Sequence, residues 1–152
     1  MSQSLWPEDL SVSQVRPPIA ILREQATFLG NSTNAIVSGL VTPDAKQIVS
    51  GSLFNARLIP RSEDETFSYN FYITAPSLGS YRYLLLTVSH GFNLYPVKIV
   101  AEEDIMQDLG AESESLVATS EEEFENCLAR IFNAGKTRRV IAGLLSQVVD
   151  AK

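Results

Sequence analysis

The chain has 152 residues, 45% hydrophobic and 20% charged, and a formal net charge of −6. That length suits one domain able to bury most of the surface it folds away, and the composition excludes disordered and collagen-like classes for the whole chain. No apolar run approaches the ~20 residues that span a bilayer, and Met1 to Arg16 lacks the basic start and apolar stretch of a signal peptide.

Residues 1–17 hold Pro7 and Pro17 and show no sustained period, so they are expected to form an irregular arm, with a single domain over 18–152. From Pro18, well tolerated at a first helical position, Leu22, Ala26 and Leu29 recur at helical spacing as far as a stop at Gly30-Asn31. Short runs between turn residues follow. Ile36 to Val41 and Gln47 to Ile59 fit strands, the second interrupted near Gly51. Phe67, Tyr69, Phe71, Ile73 and Ala75 alternate with Thr66, Ser68, Asn70, Tyr72 and Thr74, which predicts a strand with the first set in the core.

Pro76-Ser77-Leu78-Gly79 reads as a turn. Tyr81 to Val88 is expected to be a central strand, with Leu84, Leu86 and Val88 on one face and Tyr81, Tyr83 and Leu85 on the other. Leu94 to Ala101 gives another strand, with Pro96 placing it at an edge or marking its start. Residues 102–114 read as an acidic exposed loop, and Ser115 to Thr119 as a short strand. Ser120-Glu121-Glu122-Glu123 fits a capping box, and Phe124, Cys127, Leu128, Ile131 and Phe132 form the stripe of the helix it opens. A last helix begins near Thr137 and buries Val140, Ile141, Leu144, Leu145 and Val148. The expected class is therefore α+β: an N-terminal helix, an antiparallel sheet of about five strands in a meander, and two C-terminal helices packed on one face.

The lone Cys127 permits no internal disulfide, which points to the cytoplasm. Charge is unevenly spread. Residues 1–101 balance, whereas 102–126 carry Glu102, Glu103, Asp104, Asp108, Glu112, Glu114, Glu121, Glu122, Glu123 and Glu125 with no Lys or Arg. No dominant basic surface is available to neutralise phosphates, so nucleic acid is not an expected partner, nor is a membrane. A basic protein is.

Conventional chemistry finds little support. Gly135-Lys136-Thr137 resembles the end of a phosphate loop, but Arg130 stands where the first glycine belongs. One histidine and one cysteine exclude the usual zinc sites, and the acidic run lacks the spacing of a calcium loop, so no metal or cofactor is expected. Cys127 lies in an apolar stripe beside glutamates that oppose its ionisation, which marks it as a small core residue. His90, with Tyr95 and other hydroxyls near the strand end, is the one place to look for a small enzyme or ligand-binding site; Ser89 points to the opposite face and is a poor partner.

Two features point to contact surfaces. Lys136, Arg138 and Arg139 flank a helix start, where positive charge is unfavourable with the dipole. They pair with carboxylates of the preceding helix or strand block, or else hold an anion. Tyr72 lies on the polar face of its strand, and with Arg82 or Tyr83 across from it would offer a contact surface if that face is open. The leading expectation is a non-enzymatic protein-binding module of immunity or adaptor type, using Glu102, Glu103 and Asp104 with Tyr72, Arg82 and Tyr83. A homo-oligomeric structural subunit is a third possibility.

Overall fold

The computed structural model describes residues 3–11, 14–44, 67–79, 81–111, 113 and 115–150. The strand expected over 47–59 lies outside them. Residues 3–11 are exposed and belong to no helix or strand. Helix α1, Pro18–Ser32, opens with proline in its first turn and ends where Asn34 and Ala35 adopt positive φ (53° and 65°). That turn feeds β1, Ser38–Pro43, which lies antiparallel to β2, Phe67–Thr74. A 3-10 turn at Pro76–Leu78 leads to β3, Arg82–His90, and then to β4, Val97–Ala101. Pro96 stands just before β4 rather than in it, so its missing donor interrupts no ladder bond. Helix α2, Glu103–Asp108, β5, Leu116–Ala118, helix α3, Glu121–Phe132, and helix α4, Gly135–Asp150, complete the chain.

The result is an α+β fold with an antiparallel meander in the order β1-β2-β3-β4-β5. One sheet face supplies Phe71, Ile73, Leu86, Val88, Val97, Ile99, Ala101 and Ala118 to a single core. Facing them are Ile21 and Leu22 of α1, Ile105 and Met106 of α2, Phe124, Leu128 and Ile131 of α3, and Leu144 of α4. Phe67 and Tyr69, expected in the core, are only half-buried, because they lie toward the end of β2 where its partner strand runs out into Gly91 and Phe92.

Two corrections to the sequence reading matter for function. First, the register of β2 on β3 slips by one residue: Phe71 faces Leu86, but Tyr72 faces Leu84, leaving Leu85 as a bulge. An extra residue in one strand reverses the facing of everything beyond it. Leu85 and Leu86 are therefore both buried and Leu84 is turned to solvent, contrary to the expected grouping of Leu84 with Leu86 and Val88. Second, 102–114 is not all loop. Glu102 caps α2 by accepting the Asp104 N–H (3.1 Å), and Ile105 and Met106 anchor the helix in the core. Gly110, at φ 69°, stops it, with the Ala111 N–H bonded to Met106 O (3.1 Å) and the Gly110 N–H to Gln107 O (3.0 Å).

The capping box forms with a variation. Ser120 Oγ accepts the Glu123 N–H (3.1 Å), while the Glu123 carboxylate takes both the hydroxyl and the backbone N–H of Thr119, one residue before the cap. These bonds hold the Glu123 carboxyl below its ordinary range.

Helix α1 and β1 approach closely at Gly39. A β-carbon added at Gly39 would stand 2.6 Å from Ala26 Cβ and 2.8 Å from Phe71 Cζ. Gly39→Ala is thus expected to overpack this contact and lower stability by about 1–3 kcal/mol in urea unfolding. At Ala35 the sign reverses: Ala35→Gly relieves a left-handed conformation and is expected to stabilise by about 0.5–1 kcal/mol in the same assay.

Candidate functional site

The sheet face opposite the core carries Leu40 on β1, Asn70 and Tyr72 on β2, Arg82, Leu84 and Thr87 on β3, Lys98 and Val100 on β4, and Val117 on β5. Its side chains are unevenly covered. Ser68 and Asn70 are buried and Tyr72 is half-buried, whereas Leu84, Val100 and Val117 are 44%, 42% and 61% exposed. Asn70 links the polar part of this face: its Oδ1 accepts the Thr87 hydroxyl (2.7 Å), and its Nδ2 lies 3.5 Å from Tyr72 Oη.

Of the expected tyrosine–arginine surface, the structure brings together Tyr72 and Arg82. The guanidinium carbon sits 5.7 Å from the Tyr72 ring centroid, within cation–π range. Tyr83 does not join them, because it pairs with Ile73 and so faces the other side of the sheet. Its hydroxyl is buried without a hydrogen bond; burial pushes it up to about 12, and the nearby Glu102 carboxylate adds to the shift. A depression of about 400 Å³ lies at the bulge, lined by Arg82 to Thr87 of β3, Val100 and Ala101 of β4, and Glu102. The Glu102 N–H donates to the bulged Leu85 carbonyl (3.0 Å), which fixes that residue to the strand. Leu84, Val100 and Val117 escaped the sequence reading. The alternation Val97-Lys98-Ile99-Val100 carried a signal for Val100; the apolar triplet 84–86 concealed the phase of Leu84.

The acidic residues divide their roles. Glu102 caps α2 and Glu103 is exposed, while Asp104 is drawn toward α4 by the Lys136 ammonium (3.3 Å). Asp108 accepts the Lys136 backbone N–H (3.0 Å) and so supplies a carboxylate to the start of α4. The helix end at Lys136, Arg138 and Arg139, read as pairing with the protein's own carboxylates or else holding an anion, thus has a protein anion beside it. Arg138 and Arg139 are exposed.

His90 is 3% exposed, on the core face opposite Phe67 and Val97. Nδ1 lies 2.7 Å from Gly91 O, and Nε2 is buried without a hydrogen bond. Its ring packs against Phe67 and Tyr69, with centroids 5.5 and 6.1 Å away. The surface cavities between α1 and α4, between α1 and α3, beside the 3-10 turn and at the bulge are all lined by other residues. Tyr95 serves the scaffold: its hydroxyl donates to Arg16 O (3.0 Å), and burial, with Glu121 and Glu125 adding, pushes it up to about 12. Burial likewise raises Cys127. Among the described residues no group of three His, Cys, Asp or Glu side chains could hold a metal, and no helix is long and apolar enough to cross a membrane.

The chain matches no family model, no curated protein and no solved structure.

The two shifted tyrosines make a prediction with a definite sign. Each keeps its proton in the folded state to about 12, whereas an unfolded tyrosine loses it near 10. The folded chain binds more protons in that window, so stability should fall as pH rises from about 10 to about 12. Urea midpoints across this range should decline less steeply in Tyr83→Phe. At neutral pH Tyr83→Phe should be neutral or stabilising, and Tyr95→Phe should cost about 1 kcal/mol through its lost hydrogen bond.

Proposed function

We propose that the chain is a non-enzymatic protein-binding module of the cytoplasm, immunity- or adaptor-like, that captures a basic partner protein on the sheet face opposite the described helices. The observation that carries this reading is the exposure of Leu84, Val100 and Val117 on one sheet face while the opposite face is packed in the core. Apolar side chains gathered on a surface and rimmed by polar ones mark interaction sites.

The chemistry of the depression favours a cationic side chain. Leu84 and Val100 offer an apolar floor, and Glu102 stands at the rim with the exposed Glu103 next in sequence. A lysine or arginine from the partner would lay its methylene stem on that floor and direct its charge to the carboxylate. The stacked Tyr72–Arg82 pair borders the same face and suits the aromatic and arginine composition of binding hot spots. Net charge of −6 adds long-range attraction for a basic protein, which raises the association rate and makes it salt-dependent.

Affinity capture from the native lysate at two salt concentrations tests the reading when run beside two variants. Leu84→Arg with Val100→Arg should abolish capture while leaving unfolding within about 0.5 kcal/mol of the parent, since both positions are exposed. Glu102→Gln with Glu103→Gln should speed dissociation and flatten the salt dependence. A captured protein that survives the first pair, or binds with no sensitivity to salt, counts against the proposal.

A further inference from the structure

The N-terminal arm exposes Leu5, Trp6 and Leu10, with Trp6 at 77%. An indole buries roughly 200 Å² when it finds a partner, so its exposure is an unsatisfied apolar surface. Elsewhere the chain has apolar space to fill. A cavity of about 200 Å³ opens between α1 and α4, with Phe71, Ile73 and Leu85 of the sheet beneath it and Phe28, Phe132 and Ile141 around it. Interiors are close-packed with few voids larger than a water molecule, and an apolar cavity of ~150 Å³ is enough to accept an aromatic ring. Phe28 is half exposed at this cavity, and Gln25 and Ser32 supply its polar edge.

A groove of about 300 Å³ between α1 and α3 shares Gln25 and Phe132 with the cavity, so the two form one trough. Its far end is Arg16, at the root of the arm. We infer that this trough receives the N-terminal arm of a second copy of the chain, with Trp6 in the aromatic cavity and Leu10 in the groove over Ala129 and Phe132.

Arg16 decides between a second copy's arm and the chain's own. Its guanidinium reaches Glu24 on α1 (2.9 Å) and Glu125 on α3 (3.7 Å), a bar across the trough where the chain's own arm leaves. Its N–H donates to Glu121 (3.1 Å), its carbonyl accepts from Tyr95 (3.0 Å), and the following Pro17 confines it to extended backbone. The arm thus departs on a fixed heading at the N-terminal ends of α1 and α3, while the cavity lies toward their C-terminal ends. An arm from a second copy needs no reversal over that bar. Reciprocal exchange closes as a twofold dimer and leaves no open end to propagate.

Trp6 is the only tryptophan, so its emission reports the arm alone. Sedimentation velocity and tryptophan fluorescence on the intact chain, over a dilution series, should reveal a dimer with emission blue-shifted from that of N-acetyltryptophanamide. Dilution to monomer should return the emission to that of the free indole. Trp6→Ala and Phe28→Glu change exposed side chains, so each should preserve the unfolding midpoint while weakening dimerisation by about thirty-fold or more. Free-indole emission at every concentration overturns the inference. So does blue-shifted emission in a monomer, which would put the chain's own arm in the trough. A dimer indifferent to both substitutions overturns it as well.

Discussion

One unpaired residue, Leu85, sets the phase of the sheet. On one side of it Phe71 faces Leu86, and on the other Tyr72 faces Leu84. Without the slip, Leu84 would enter the core and Tyr83 would emerge beside Tyr72. With it, two consecutive leucines are buried, Leu84 becomes surface, and the Tyr83 hydroxyl is shut away near Glu102. The bulge is held in place by the Glu102 N–H, at the point where β4 gives way to α2. The same residue therefore shapes the depression on the open face and receives the backbone that carries its acidic rim.

The fold class was legible because most elements announce themselves by period or cap. Alternation in 67–75, proline at the start of α1 and serine before three glutamates at α3 each point to one local structure. The bulge had no such signature. In Leu84-Leu85-Leu86 every residue suits either face, so alternation loses its phase where the strand slips. Helix α2 was hidden for a different reason. Six residues with two apolar side chains give too little periodicity, although the acidic start at Glu102–Asp104 and the left-handed glycine at 110 were both readable as caps.

That single omission distorted the reading of the charges. With α2 taken as loop, its carboxylates counted as free charge, and the partners expected for Lys136 were the glutamates of α3 or a carboxylate of the strand block. In the fold, Asp104 meets the Lys136 side chain and Asp108 meets its backbone N–H. Some of the acidic surplus is thereby committed to holding α4 against α2. Local sequence could not foresee this, since the partners lie 28 and 32 residues apart. The candidate surface was likewise half visible: Tyr72 and Arg82 were named from strand polarity, whereas the neighbouring apolar positions required the register.

The clasp at Arg16 has a consequence for the order in which the molecule is assembled. Its backbone bond to Glu121 spans 105 residues, while the meander pairs each strand with the next. Neighbouring strands are far closer in sequence than that and can pair as they leave the ribosome, but α1 cannot be locked to α3 until residues 121–125 have emerged. Until then the α1-facing side of the nascent sheet lacks its C-terminal cover. The late acids Glu121 and Glu125 are thus more than surface charge: they complete a long-range latch that helps turn a locally formed sheet into a closed layer.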